Sequence, residues 1–136
     1  MRKILITYFT VLFCLTSSVG WSNDLERGVA TLERGIVAYN LGYYATALRI
    51  WKPLIEQGDA AAQHNLGTMY RKGLGVLQDY KTAMKWYRLS AEQGYAFAQY
   101  NLGLMYLEGL GVLQDYKIAV KWFRLSAEQG YAFAQH

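Results

Sequence analysis

Apolar and polar residues along this chain follow a helical period, and the pattern itself recurs. Between Ala60 and Arg71, the positions Ala62, Gln63, Leu66 and Tyr70 fall at i, i+1, i+4 and i+8, one stripe of an α-helix. Asp59 stands just before it, where a carboxylate can accept from the free N–H groups of the first turn. Gly73-Leu74-Gly75 then ends the helix and turns the chain. A second helical pattern begins after Asp79, with Tyr80, Ala83, Met84, Tyr87 and Ala91 on its apolar face and Gly94 closing it. Gly67 interrupts the first helix at a cost of about 1 kcal/mol relative to Ala. That cost is understandable if a neighbouring helix crosses there and a Cβ would clash. No strand period competes after residue 22, so the fold class is all-α.

The same pattern returns 36 residues later. Aligning 59–94 with 95–130 gives 27 identities in 36 positions. The second apolar face reappears as Tyr116, Ala119, Val120, Phe123 and Ala127. Residues 24–58 read as a looser leading unit that shares the ending Glu56-Gln57-Gly58, and 131–136 begin a further unit. A period of this length belongs to helix-turn-helix solenoids, in which each unit buries its apolar face against its neighbours. An α-solenoid, a superhelix of helix-turn-helix repeats, is therefore expected. Trp51, Trp86 and Trp122 sit beside the apolar faces and read as core.

The residues also carry a resemblance. Ala62-Gln63, Leu66-Gly67, Tyr70, Gly73, Gly75-Val76 and Asp79, followed by Ala83, Trp86-Tyr87 and Ala91-Glu92-Gln93-Gly94, resemble the Sel1-like repeat (SLR) family, relatives of the tetratricopeptide repeats (TPR). The match recurs from Ala98 to Gly130. Ala38-Tyr39, Gly42, Tyr44 and Ala47-Leu48 in the leading unit look more like a TPR turn. Leu89-Ser90 and Leu125-Ser126 depart from the family, which often has a basic residue and alanine there. The resemblance implies a scaffold that binds other proteins, an adaptor or interaction module.

The N-terminus reads differently from the repeats. Met1-Arg2-Lys3 is basic, Ile4 to Leu15 is an uncharged apolar run, and small polar residues follow. This is the layout of a secretory signal peptide over 1–22, cleaved after Gly20 or Ser22. The run is shorter than the roughly 20 residues of a spanning helix, so no stable membrane insertion is expected once it is removed; an uncleaved anchor is the alternative. Phe13 before Cys14 argues against lipidation. The full chain carries 14 Lys and Arg against 10 Asp and Glu. Losing Arg2 and Lys3 leaves a net charge near +2, too small to argue for nucleic acid. Cys14, the single cysteine, leaves with the leader, so the exported chain has no thiol or disulfide. A Gram-negative periplasm or the external medium is the expected location, as a periplasmic adaptor or, alternatively, as a secreted factor that engages a host or foreign protein.

The two full units differ at 59, 61, 64, 68, 71, 72, 82, 84 and 87. Positions 61, 64, 68, 71 and 72 share one face of the first helix, opposite the inward stripe. On that face the first full unit offers Ala61, His64, Thr68, Arg71 and Lys72, and the second offers Phe97, Tyr100, Leu104, Leu107 and Glu108. The apolar strip from Phe97 to Leu107 reads as an interaction surface for a protein or peptide, against the alternative of unconstrained drift or packing. Asn65 and Asn101 share the face and could grip an extended backbone, or could order the repeat internally. Lys81, Lys85 and Arg88, repeated as Lys117, Lys121 and Arg124, read as a solvated outer row, with contact to anionic lipid headgroups as the alternative, and with Arg88 pairing Glu92 and Arg124 pairing Glu128 at i+4.

Chemistry-bearing groups are scarce. His64 and His136 lie two units apart, roughly 30 Å or more from the spacing of packed helices, and cannot share a metal or a proton relay. No Walker loop, HExxH or G-x-S-x-G motif occurs. A disulfide-rich secreted branch of the SLR family is associated with β-lactam binding, but this sequence lacks its cysteines and its Ser-x-x-Lys chemistry. No enzymatic activity, cofactor or metal is expected. At the C-terminal edge Leu102, Tyr106, Trp122 and Phe123 are expected to face water on one side, an edge that a second copy of the chain could cover in a homodimer.

Overall fold

The computed structural model describes residues 2–130, with side chains from Ser22 onward. Six helices follow one another: α1 (Arg2–Asn40), α2 (Tyr44–Glu56), α3 (Ala60–Lys72), α4 (Tyr80–Glu92), α5 (Ala96–Glu108) and α6 (Tyr116–Glu128). They pair as α1 with α2, α3 with α4 and α5 with α6, and the pairs stack in chain order. Among the described residues there is no strand, and the architecture is the all-α solenoid of helix-turn-helix repeats that the 36-residue period predicts. α1 runs without a break through Gly20 and Ser22. No helix among the described residues is long and apolar enough to cross a membrane. The further unit expected at 131–136 lies outside the described residues.

The helix boundaries follow from capping. The Asp59 carboxylate accepts from the backbone N–H of Ala62 at 2.8 Å. Asp79 accepts from the N–H groups of Lys81 and Thr82 and from the Thr82 hydroxyl. Both satisfy donors that a helix start leaves free. Exit from α3 and α5 is through a left-handed glycine, Gly73 or Gly109.

Each unit lays one large ring from its second helix over a glycine of its first. Tyr87 is fully buried against Gly67, where an added Cβ would lie 2.8 Å from the ring. Phe123 covers Gly103 in the same way, at 2.7 Å. The leading unit repeats the device with Trp51 over Gly35, its indole N–H donating to the Leu32 carbonyl. Trp51 therefore takes the place of Tyr87 and Phe123, not that of Trp86 and Trp122. The latter two are half-buried, and Lys85 lies over the Trp86 ring.

A polar set repeats within the core. Ser90 Oγ donates to the Ala60 carbonyl at 2.6 Å, and Ser126 Oγ to that of Ala96 at 2.8 Å. Gln93 Nε2 donates to Gln63 Oε1, and Gln129 Nε2 to Gln99 Oε1. Both serines are fully buried, so the departure from the family at these positions is a tie between the two helices of a unit. Burial of their hydroxyls is tolerable because each has its partner.

The two joints between units are not alike. α4 and α5 pack closely, while α2 and α3 touch sparsely. An open groove of about 480 Å³ remains at the first joint, lined by Leu48, Ile55 and Leu66. At the second joint Arg88 Nη2 donates to Tyr106 Oη at 2.8 Å, reaching into the next unit. Lys52 holds the matching place in α2 and turns to Glu56 instead, at 4.0 Å. The pairs expected at i+4, Arg88 with Glu92 and Arg124 with Glu128, are not among the ion pairs of the described residues. A partly desolvated phenol offers Arg88 a better partner than an exposed carboxylate, whose ion pair contributes little. The expected water-facing edge is also corrected. Leu102 and Tyr106 are buried against α4, Trp122 and Phe123 are half-buried, and Tyr116 and Val120 on α6 are exposed.

Candidate functional site

The face on which the two full units differ lies on α3 and α5. Lys72 and Glu108 at the ends of these helices are exposed, and so is Phe97, with 44 % of its surface accessible. Tyr100, Leu104 and Leu107 are half-buried rather than free of the core. The Tyr100 ring lies 5.5 Å from Phe123, and Leu107 packs on the cluster around Leu102 and Met105. The strip is therefore the rim of the core with Phe97 standing out of it.

Three of the differing positions form a single contact set. Arg71 Nε donates to Tyr87 Oη at 3.3 Å, Tyr87 Oη lies 3.0 Å from Thr68 Oγ1, and Thr68 Oγ1 donates to the His64 carbonyl. Since Thr68 uses its proton on that carbonyl, Tyr87 donates to Thr68 and accepts from Arg71. Burial pushes the Tyr87 hydroxyl above its ordinary pKa, so it stays protonated for that role. In the next unit the matching residues are Leu104, Leu107 and Phe123. The polar set has become an apolar one at all three positions, and no half-polar mixture is left.

His64 joins the two units. Its Nε2 lies 2.9 Å from Asn101 Nδ2, and its Nδ1 lies 3.3 Å from Asn65 Oδ1. An amide nitrogen can only donate, so Nε2 accepts and the proton sits on Nδ1, facing Asn65. The ring packs among Tyr87, Tyr95 and Phe97, with centroids 5.4–6.2 Å away. Desolvation by this surrounding lowers its pKa to about 4, opposed by the bond to Asn65 and assisted by nearby Arg71. The neutral imidazole thus links Asn65, in its own helix, to Asn101 across the joint. Both asparagines are engaged with His64 in this structure. No group of three or more His, Cys, Asp or Glu capable of holding a metal occurs among the described residues.

Repeated helix pairs with a ring-over-glycine core and a variable first-helix face define an α-solenoid built from interaction-type repeats. The Sel1 repeat model matches residues 60–95 and 96–131, more than half of the chain, and the chain belongs to the Sel1 repeat family. Repeats of this family generally mediate protein interactions and typically serve as non-catalytic scaffolding. A Sel1 repeat protein from Oxalobacter formigenes superposes with a TM-score of 0.71 at 41 % identity, over 76 % of this chain. A protective antigen of uropathogenic Escherichia coli with an SLR fold gives 0.71 at 38 % identity, over 79 %. The chain spans 41 % and 24 % of the lengths of these two proteins. A search of curated proteins found no significant match.

Proposed function

We propose that the chain is an exported protein-interaction module that takes a protein or peptide partner on the first-helix face of α3 and α5, the concave side in arrays of this kind. The observation that carries the reading is the segregation of differences between the two full units. Twenty-seven positions are identical, yet the first-helix face changes from His64, Thr68, Arg71 and Lys72 to Tyr100, Leu104, Leu107 and Glu108. Phe97 projects from it as an aromatic anchor of the kind that dominates interface energetics. The face would offer a partner a basic half and an apolar half, one repeat apart. Export rests on the basic, apolar and small-polar layout of 1–22, and kinship to a protective antigen supports an exported location.

The test places a photo-crosslinking residue at Phe97 or at Leu89, which is 39 % exposed on the second helix, in cells that make the full chain. A discrete adduct from position 97 that is absent from position 89 supports the reading, and charge at Lys72→Glu should weaken it. Equal labelling from both positions sinks it. Mass spectrometry of the periplasmic fraction should find a chain beginning at Trp21 or Asn23; a chain retained in the cytoplasm with Met1 would remove the export claim.

A further inference from the structure

The connections inside the units carry exposed apolar side chains, and those between units do not. Leu77 is 91 % exposed and Leu113 88 %, at matching places in the loops that join α3 to α4 and α5 to α6. The shorter loop from α1 to α2 carries Leu41 at 66 % and Tyr43 at 63 %. These loops stack on one edge. A Cβ added at Gly111 would strike the backbone of Tyr80, and one at Gly75 would meet Tyr44, so each loop lies against the start of the preceding second helix. The loops of the opposite edge, Gln57-Gly58-Asp59 and Gln93-Gly94-Tyr95, carry no such residue, and the apolar exposure on that side comes from α1, where Leu25 is 69 % and Val29 55 % exposed beside Gln57 and Gly58.

Charge is polarised along the same axis. On α4 the exposed row runs Lys81, Lys85, Arg88 and then Glu92, and on α6 Lys117, Lys121, Arg124 and then Glu128. The cations start at the leucine-bearing edge and the glutamates stand at the far one. Lys72 adds to the cationic edge, and Glu108 offsets it. Asp79 and Asp115 also lie there; each caps its helix through backbone N–H groups but keeps its negative charge, so they too offset the cations. Isolated exposed leucines need no explanation. Apolar tips repeated at each loop and backed by cations are the arrangement that seats a protein on an anionic bilayer, where apolar side chains enter the headgroup boundary and Lys and Arg meet lipid phosphates.

We infer that this edge is a peripheral docking surface for an anionic lipid bilayer, with Leu77 and Leu113 entering the interface and Lys81 and Lys117 held at the headgroups. Docking in this way leaves the first-helix face of α3 and α5 open to a protein. It is also distinct from anchoring through the N-terminal apolar run, because α1 ends at the leucine-bearing edge and starts from the other side.

The experiment uses the full chain with Cys14→Ser and an environment-sensitive dye on Leu113→Cys or on Gln93→Cys. Vesicles of phosphatidylcholine and phosphatidylglycerol in equal parts are compared with phosphatidylcholine alone. The expected result is a saturable blue shift from position 113 with the anionic vesicles, suppressed by 0.5 M salt, and none from position 93. Lys81→Glu with Lys117→Glu should weaken the partitioning at least about tenfold, with helicity unchanged by circular dichroism. A shift at 93 equal to that at 113 would mean that the N-terminal run alone carries the protein to lipid, and would overturn the inference. So would equal response to neutral vesicles, or no response to either. A shift at 113 that needs raised protein concentration and no lipid would assign the edge to a second copy of the chain.

Discussion

Asn101 Nδ2 donates to His64 Nε2 at 2.9 Å and thereby ties the second full unit to the first. The bond needs a neutral imidazole, because a protonated ring has no acceptor to offer.

That requirement makes stability depend on pH. The pKa of His64 is lowered from 6.5 to about 4 in the folded chain. A group with a depressed folded pKa contributes stability that is complete above its unfolded value and is lost as pH falls towards the folded one. The window therefore runs from about 6.5 down to about 4. The loss from this group alone should reach about 2 to 3 kcal/mol at pH 4. Asp79, whose hydrogen bonds hold its carboxyl below the ordinary range, adds its own loss only below 3.8. Urea denaturation at intervals between pH 7 and 4 should show the decline, and His64→Gln should flatten it above pH 4. An unchanged slope in that variant would mean that His64 is not the titrating group.

The two asparagines should differ in their worth. Asn101→Ala leaves a buried imidazole acceptor without its donor and should cost about 1 to 3 kcal/mol. Asn65 sits beside His64 in the same helix at the longer distance of 3.3 Å, and Asn65→Ala should cost less than half as much. Denaturant midpoints of the two variants decide the order.

Gly103 is held open by the ring above it. Gly103→Ala gains about 1 kcal/mol of helix propensity, but its Cβ would meet the Phe123 ring at 2.7 Å. Overpacking of this kind costs about 1 to 3 kcal/mol, so net destabilisation is expected. Combining it with Phe123→Leu should recover part of the loss relative to the sum of the two single changes. Strict additivity in a thermal melt series would deny the contact.

Thr68, Arg71 and Tyr87 should behave as a unit. Tyr87→Phe alone leaves the Arg71 guanidinium without the phenol and should cost about 1 kcal/mol. Thr68→Leu, Arg71→Leu and Tyr87→Phe together reproduce the apolar set of the next unit, and should cost less than the sum of the singles by at least about 0.5 kcal/mol. Urea titrations of all four variants measure the coupling.

Much of the fold is legible before any coordinates. Asp59 and Asp79 mark helix starts because a carboxylate there has an obvious local use. Gly67 marks a crossing because nothing within the helix explains it. What escapes is whatever depends on a neighbouring unit. Arg88 reads as a partner of Glu92, one turn away, and instead reaches Tyr106, eighteen residues on. Trp51 reads as core alongside Trp86 and Trp122, and its place over Gly35 is not visible in the spacing. The shorter first loop shifts the leading unit's first helix relative to the others, while its second helix keeps the 36-residue offset that places Trp51 on Tyr87. The site was readable as a set of differences, but not as a bonded one: spacing shows that 64, 68 and 71 share a face, and cannot show that Tyr87 reaches them from another helix.

The Thr68, Arg71 and Tyr87 set has a consequence for inheritance. Its members straddle the loop at 73–79, which is identical to 109–115. Recombination between the two copies within that loop would join a first helix carrying Thr68 and Arg71 to a second helix carrying Phe123, stranding a guanidinium against a phenyl ring. A crossover at the 94–95 boundary would keep each set whole. The repeats can therefore be shuffled as intact cassettes, and selection should remove hybrids joined within the loop.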